Sequence, residues 1–168
     1  MAARALGIDG FALNIGDDPW QPTQVAYAYG AAANLFNAGN GTTPFYLFIS
    51  FDMTIISDPT TIVGYIQEYH GHSNQLVYEG KDFVSTFSGE YVYFGQDNLN
   101  DAWQIDVKDV LAGSGIEIYF VPSWSALAPQ GVFDAYPVLD GIFCWTAWYF
   151  LPSYLVAHNI VGQMVIQR

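Results

Sequence analysis

Asn14, Asp52, Glu90, Trp124, Trp145 and Trp148 stand at the carboxyl ends of short, apolar, β-rich runs in a chain of 168 residues. Ser88, Ser123 and Thr146 add hydroxyls beside them. Amide, carboxylate, hydroxyl and indole together suit a sugar ring. Its hydroxyls donate to carboxylates and exchange hydrogen bonds with amides, while its apolar C–H faces pack on indole. Each residue also has a plainer role open to it. Asp52 and Glu90 can be loop caps or solvated carboxylates, Asn14 can brace its loop, and Trp124 and Trp148 can plug the core.

Other chemistries lack their residues. No G-x-G-x-x-G or G-x-x-x-x-G-K-[ST] follows the first run, and the segment NIGDDPW puts Asp17 and Asp18 where a phosphate would sit, which disfavours nucleotides. Ser85 and Ser88 lie outside any G-x-S-x-G, so a serine hydrolase elbow is missing. His70 and His72 have no third ligand in view and suit helix-end or loop roles rather than a metal site. Cys144 is the single cysteine, so neither an internal disulfide nor a Cys-x-x-Cys redox pair is possible. The reading calls for no cofactor and no metal.

The elements that must position these groups are legible as alternating runs. Candidate strands are Ile8–Ile15, Phe45–Phe51, Asp82–Phe87, Ile116–Val121 and Gly141–Trp148, and their starts lie roughly 25 to 37 residues apart. That is the spacing of βα units rather than hairpins. Most are apolar on both faces, as parallel strands covered by helices require. Thr23–Phe36 carries apolar residues at helical spacing after Pro22, and a second helix starts at Asp58 and Pro59 and ends at His70 and Gly71. A third stripe covers Asn98–Leu111. The fold class expected is α/β, with all five units parallel and their carboxyl ends on one rim. Such a set fits either a doubly wound sheet or part of a (β/α)8 barrel, which needs about 250 residues when whole.

Composition narrows the partners. Asp and Glu number 16 against 4 Lys and Arg, a net charge of −12, which leaves no means of neutralising a phosphate backbone or an anionic membrane. Neutral or cationic partners remain, and the oligomeric state is open. From Gly141 to Ile166 no residue is formally charged, yet Pro152, His158, Asn159 and Gln163 interrupt the stretch, so a buried strand with an irregular tail is expected instead of a membrane span. The amino terminus has no apolar stretch of signal-peptide length and reads as the tail of a helix already under way.

Taken together, GIDGFALNIG, DDPW, LFISFDM, KDFVSTFSGE, IYFVPSW and the FDA and DGIFCWTAW segments, in that order from Ala2 to Trp148, resemble the fungal glycoside hydrolase family 71. These are the α-1,3-glucanases also called mutanases. The resemblance implies a secreted, endo-acting, inverting enzyme with a (β/α)8 catalytic barrel, α-1,3-linked glucan as substrate and no cofactor. It assigns Asp52 and Glu90 to substrate binding rather than to catalysis.

Two departures shape what the resemblance carries over. The family's W-D-A-W core reads Trp145-Thr146-Ala147-Trp148 here, and its W-N-D-x-G-E segment, which holds the expected acid and base, lies further along than this chain runs. Inverting hydrolysis needs both carboxyl groups, so the chain by itself is expected to be inactive. The alternative is a non-catalytic glycan-binding remnant. After Trp148 the likeness is expected to stop, dividing the chain into a partial barrel over residues 1–148, about five βα units, and a divergent tail over 149–168 that points to a truncated reading frame or a retained intron.

Overall fold

A computed structural model describes residues 6–36, 44–124, 126–127, 131–143 and 164–166. It shows a mixed α/β fold built on a parallel sheet. β1 (Gly10–Ile15), β2 (Tyr46–Asp52), β4 (Lys81–Phe87) and β5 (Ile118–Phe120) lie side by side in chain order, each parallel to the next. An antiparallel hairpin strand, β3 (Val77–Tyr78), pairs with the start of β4.

Helices cover one face. α1 (Gln21–Phe36) has Pro22 in its first turn, where a missing N–H costs nothing, and turns Val25, Tyr29 and Ala32 inward. α2 (Pro59–Tyr69) is capped by Asp58, whose Oδ1 accepts from the Thr60 backbone N–H at 2.9 Å. The Thr60 hydroxyl and amide together hold that carboxyl below the ordinary range. Asn98 caps α3, which runs through Leu99–Trp103, a π-helical turn Gln104–Asp109 and a last turn Val110–Ala112. Leu47, Ile49, Phe51 and Met53 alternate along β2 and its end, and they join Ile62 and Ile66 of α2 and Trp103 and Val107 of α3 in the main core.

The opposite face of the sheet carries its own apolar layer. Phe83, Tyr119 and Val121 are buried there with Phe48 and Leu76 against them, the Phe48 and Phe83 rings meeting edge to face at 4.8 Å. Burial on both faces explains why the runs lack polar alternation.

The expected and observed strands agree to within two residues at each end for the first four runs. The fifth differs. Its described part, β6 (Gly141–Phe143), pairs antiparallel with β7 (Met164–Ile166) instead of extending the parallel sheet. It stays beside β5 through bonds from Asp140 N to Phe120 O and from Phe143 N to Pro122 O, while the rest of the expected run lies outside the described residues. β3 and the short helix α4 (Val132–Ala135) were not expected either. Among the described residues no helix is long and apolar enough to cross a membrane.

Beneath the sheet, Tyr29 of α1 stacks on Tyr69 of α2 at 4.1 Å and donates its hydroxyl to Gln75 Oε1 at 2.6 Å. Burial raises the Tyr69 phenol to about 12, with Glu68 adding to it, and raises Tyr29 further, assisted by Tyr69 and Asp82. Each phenol holds its proton more tightly folded than unfolded. Their contribution to stability is therefore fully present below about pH 10 and is lost as pH rises through the folded values. Urea unfolding measured across alkaline pH should show stability falling above about pH 10, and Tyr69→Phe should flatten that fall; an unchanged slope would show that this pair is not its source.

Candidate functional site

Parallel pairing puts the carboxyl ends of β1, β2, β4 and β5 on one edge of the sheet, and the register sets the residues there in rows. Asn14, Ser50 and Ser85 are successive partners across β1, β2 and β4, and one level nearer the edge Asp52 pairs with Phe87 and Phe87 with Ser123. Partners in a parallel ladder share a face, so Asn14 and Asp52 lie on the face away from the helices. Ser50 was not singled out in the sequence, and Ser85 was weighed only as a hydrolase nucleophile, although each is a hydroxyl set into an apolar run. The Ser85 hydroxyl donates to Val121 O at 2.7 Å, whereas the fully buried Ser50 hydroxyl has no hydrogen-bond partner among the described residues.

The loops that follow these strands touch one another along the edge. Backbone bonds from Met53 N to Phe87 O and from Ser88 N to Ser123 O carry the ladder past the last strand residues. Gly16, after β1, lies against Ile55, after β2, at a distance where a Cβ would meet its Cδ1 at 3.4 Å. Gly89, after β4, is pressed onto Met53 so closely that a Cβ would fall 2.8 Å from its Cγ. The Glu90 carboxylate then reaches the loop after β5, accepting from Ala126 N at 3.0 Å.

Asp52 is half-buried, and its Oδ1 accepts from both the backbone N–H and the hydroxyl of Thr54, at 3.1 and 2.6 Å. This is the turn-forming role expected of an Asp at a strand end, and among the described residues no donor takes the second carboxylate oxygen. Glu90 is only 6% exposed and uses both oxygens internally, Oε2 taking the Ser88 hydroxyl at 3.2 Å. Asn14 is exposed on β1. Trp124 differs most from a sugar platform: it is fully buried, its ring edge to face with Phe120 and Tyr136, and it offers no open indole face. Trp145 and Trp148, with Thr146 between them, lie outside the described residues.

Exposed aromatic rings occur nearby on residues the sequence reading passed over. Trp20, in the loop after β1, is 58% exposed, and Tyr91 and Tyr93, in the loop after β4, are 71% and 40% exposed. Trp20, Asn14, Gln21 and Gln24 line a cleft of about 260 Å³ that runs from β1 to the start of α1. The signal for these aromatics was present in DDPW and GEYVY, four to six residues beyond the strand ends.

Among the described residues both cations are committed to structure. Lys81 pairs with Glu117 at 3.3 Å, and Lys108 with Asp140 at 2.9 Å. Neither neutralises a ligand at the rim. No group of three or more His, Cys, Asp or Glu side chains converges to hold a metal among the described residues. His70 sits instead at the end of α2, with Nδ1 2.7 Å from the buried Asp82 carboxylate. A rim of amide, carboxylate and aromatic groups without cations is one for a neutral, hydroxyl-rich ligand.

The sequence profile of glycosyl hydrolase family 71 matches residues 1–157. The chain belongs to this family. A glucan endo-1,3-alpha-glucosidase of Schizosaccharomyces pombe is 48% identical over 87% of the chain and 33% of its own length. An ascus wall endo-1,3-alpha-glucanase of the same yeast is 35% identical over 90% of the chain and 34% of its own. A mutanase of Penicillium rubens is 35% identical over 87% and 28%. The chain thus spans about a third of the length of the curated relatives it matches. The match to the family 71 profile runs past Trp148, where the likeness was expected to stop. No solved structure matches.

In this family 71 chain the contact between the loops after β2 and β4 depends on a missing side chain. Gly89 has φ of 110°, a backbone that disfavours any Cβ, in addition to its contact with Met53. Gly89→Ala should lower stability by roughly 1–3 kcal/mol in equilibrium unfolding, and trimming Met53 in the same chain should restore part of it. A neutral Gly89→Ala would mean that the two loops do not close on each other.

Proposed function

We propose that this chain forms the substrate-engaging arc of an α-1,3-glucan hydrolase, its parallel sheet being part of a (β/α)8 barrel whose carboxyl-terminal rim receives the polysaccharide. The observation that carries the reading is the row of strand ends on one edge, with Asn14 and the free oxygen of Asp52 on the same face, in a chain of glycosyl hydrolase family 71. A neutral polymer of glucose rings matches a rim that is acidic, amide-bearing and short of cations. The names of the relatives supply the α-1,3 linkage, and the ascus wall in the name of one of them supports an extracellular place of work. Residues 1–148 make up the barrel portion in this reading, with 149–168 as a tail, and Trp145 and Trp148 join Asn14 and Asp52 in contacting glucan.

Cleavage by inversion needs a protonated carboxyl on the leaving oxygen and an ionised carboxylate activating water, about 6.5–9.5 Å apart. Glu90, with both oxygens bonded internally, is poorly placed for either task, and Asp52 alone cannot perform both. The 168-residue chain accordingly binds glucan without cleaving it. A non-catalytic glycan binder is therefore the same reading applied to this polypeptide alone.

Sedimentation with insoluble α-1,3-glucan should pellet the protein, while a β-1,3-glucan should not. Asp52→Asn keeps an oxygen for Thr54 and removes the charge. A charge-assisted hydrogen bond is worth about 1.5–3 kcal/mol, so affinity should fall roughly ten-fold or more. Reducing-sugar release should stay at background. Equal retention on both glucans would sink the substrate assignment, and hydrolysis abolished by Asp52→Asn would make Asp52 a catalyst.

A further inference from the structure

The loop from Ser88 to Asp97 is pinned at several points and yet turns two large rings outward. At its start Ser88 has φ of 60° and Gly89 of 110°, so two consecutive residues hold the left-handed region, unusual for serine. Gly89 bears on Met53, and Glu90 clasps Ser88 and the backbone of Ala126. Further on, Phe94, also at positive φ (52°), packs edge to face on the buried Trp103 at 5.6 Å, and Gln96 donates to Asp106 Oδ2 at 3.0 Å. Val92 between them packs against the main core. Tyr91 and Tyr93 are what this arrangement leaves in solvent, at 71% and 40% exposure.

We propose that Tyr91 and Tyr93 are a stacking platform for the glucose rings of the glucan, and that Glu90 is a positioning residue that holds the platform rather than a contact of the ligand. This rests on the α-1,3-glucan reading above. Three arguments support it. Positive-φ strain in non-glycine residues persists only where the surroundings enforce it, and here it is enforced by contacts that all lie on the inner side of the loop. A tyrosine offers an apolar ring with a polar tip at little entropic cost, which suits the C–H face and flanking hydroxyls of a sugar. The site is also at the end of β4, beside the Asp52 loop that Gly89 touches, so a chain lying across Asp52 has the tyrosines next along the rim. Trp124, one of the indoles expected at the rim, is instead fully buried against Phe120 and Tyr136.

The two roles separate by substitution in the full 168-residue protein. Binding of soluble α-1,3-gluco-oligosaccharides and pelleting with insoluble α-1,3-glucan are measured alongside thermal melts. Tyr91→Ala and Tyr93→Ala should each weaken binding about three- to ten-fold, with melting unchanged, and Tyr91→Phe should restore most of the loss. Glu90→Gln still offers an oxygen to Ala126 and an amide to Ser88, so it should bind like wild type. Glu90→Ala should lose affinity, and should add nothing further once both tyrosines are alanine. If Glu90→Gln is as damaging as Glu90→Ala, the carboxylate itself meets the sugar and the positioning role falls. If the tyrosine variants bind normally while Asp52→Asn does not, the platform is refuted and the glucan reading stands. A wild-type protein that ignores α-1,3-glucan refutes both. A change in sedimentation velocity on Tyr91→Ala, without a change in glucan affinity, assigns the rings to self-association and overturns the proposal.

Discussion

Two buried amides, Asn74 and Gln75, take the place of the strand pairing that β2 and β4 forgo over their first halves. β2 and β4 pair only from Ser50, Phe51 and Asp52 onward. Below that point the segment before β3 lies between them. Leu47 N bonds to Asn74 O, Leu76 N to Leu47 O, and Phe83 N to Leu76 O. The amide side chains satisfy what remains: Asn74 donates to Phe45 O at 2.8 Å, and Gln75 donates to Phe83 O at 3.2 Å while accepting from Tyr29. An unpaired backbone group in such a gap would cost about 1–3 kcal/mol each. With the wedge in place, β2 and β4 stand apart at their amino ends and converge at their carboxyl ends. That convergence is what brings the Asp52 loop and the Gly89 loop into contact.

The placement of charge follows the same division between the two ends of the sheet. His70 and Asp82 pair at the amino end of β4, and Lys81 reaches Glu117 there as well. Lys108 bonds to Val138 O and to Asp140, whose carboxylate also accepts from Phe120 N, tying α3 to β5 and to the approach of β6. The described cations thus hold elements together away from the rim. The rim itself carries hydrogen-bonding and aromatic groups and, among the described residues, no cation that would suit a phosphate-bearing polymer.

Much of the architecture was legible because it depends on local pattern. Doubly apolar runs marked the parallel strands, and Asp58 with Pro59 marked a helix start through capping chemistry that acts within one turn. The strand-end position of Asn14 and Asp52 followed from the same pattern. Features set by distant partners were not legible. The π-helical turn in α3 does not break the apolar stripe that announced the helix. Val77 and Tyr78 form a strand only because Glu79 and Gly80, both at positive φ, fold them back on Lys81 and Asp82. The antiparallel turn of β6 toward β7 rests on a partner about 20 residues away in a stretch with no charge to mark it. Within the site, the burial of Glu90 and Trp124 is decided by Ala126, Tyr136 and Met53, residues of other loops and elements that no spacing rule connects to them.

That burial changes the physical account of how such a rim would bind the glucan proposed as its ligand. Each glucose unit offers a few hydrogen bonds and a ring face, none strong in water, so affinity depends on how little ordering the protein must undergo when the sugar arrives. A carboxylate left free at position 90 would add one hydrogen bond and leave its loop to be ordered on binding. A carboxylate committed to Ser88 and Ala126 orders that loop beforehand, and Trp124 fills the space beneath it. The outward groups, Asn14 and Asp52 at the strand ends and the exposed rings of Trp20, Tyr91 and Tyr93 in the loops, are then carried on segments already braced against one another through Gly16 and Ile55, Gly89 and Met53, and Glu90 and Ala126. The residues that look most chemical in the sequence serve partly to hold still the ones that look least so.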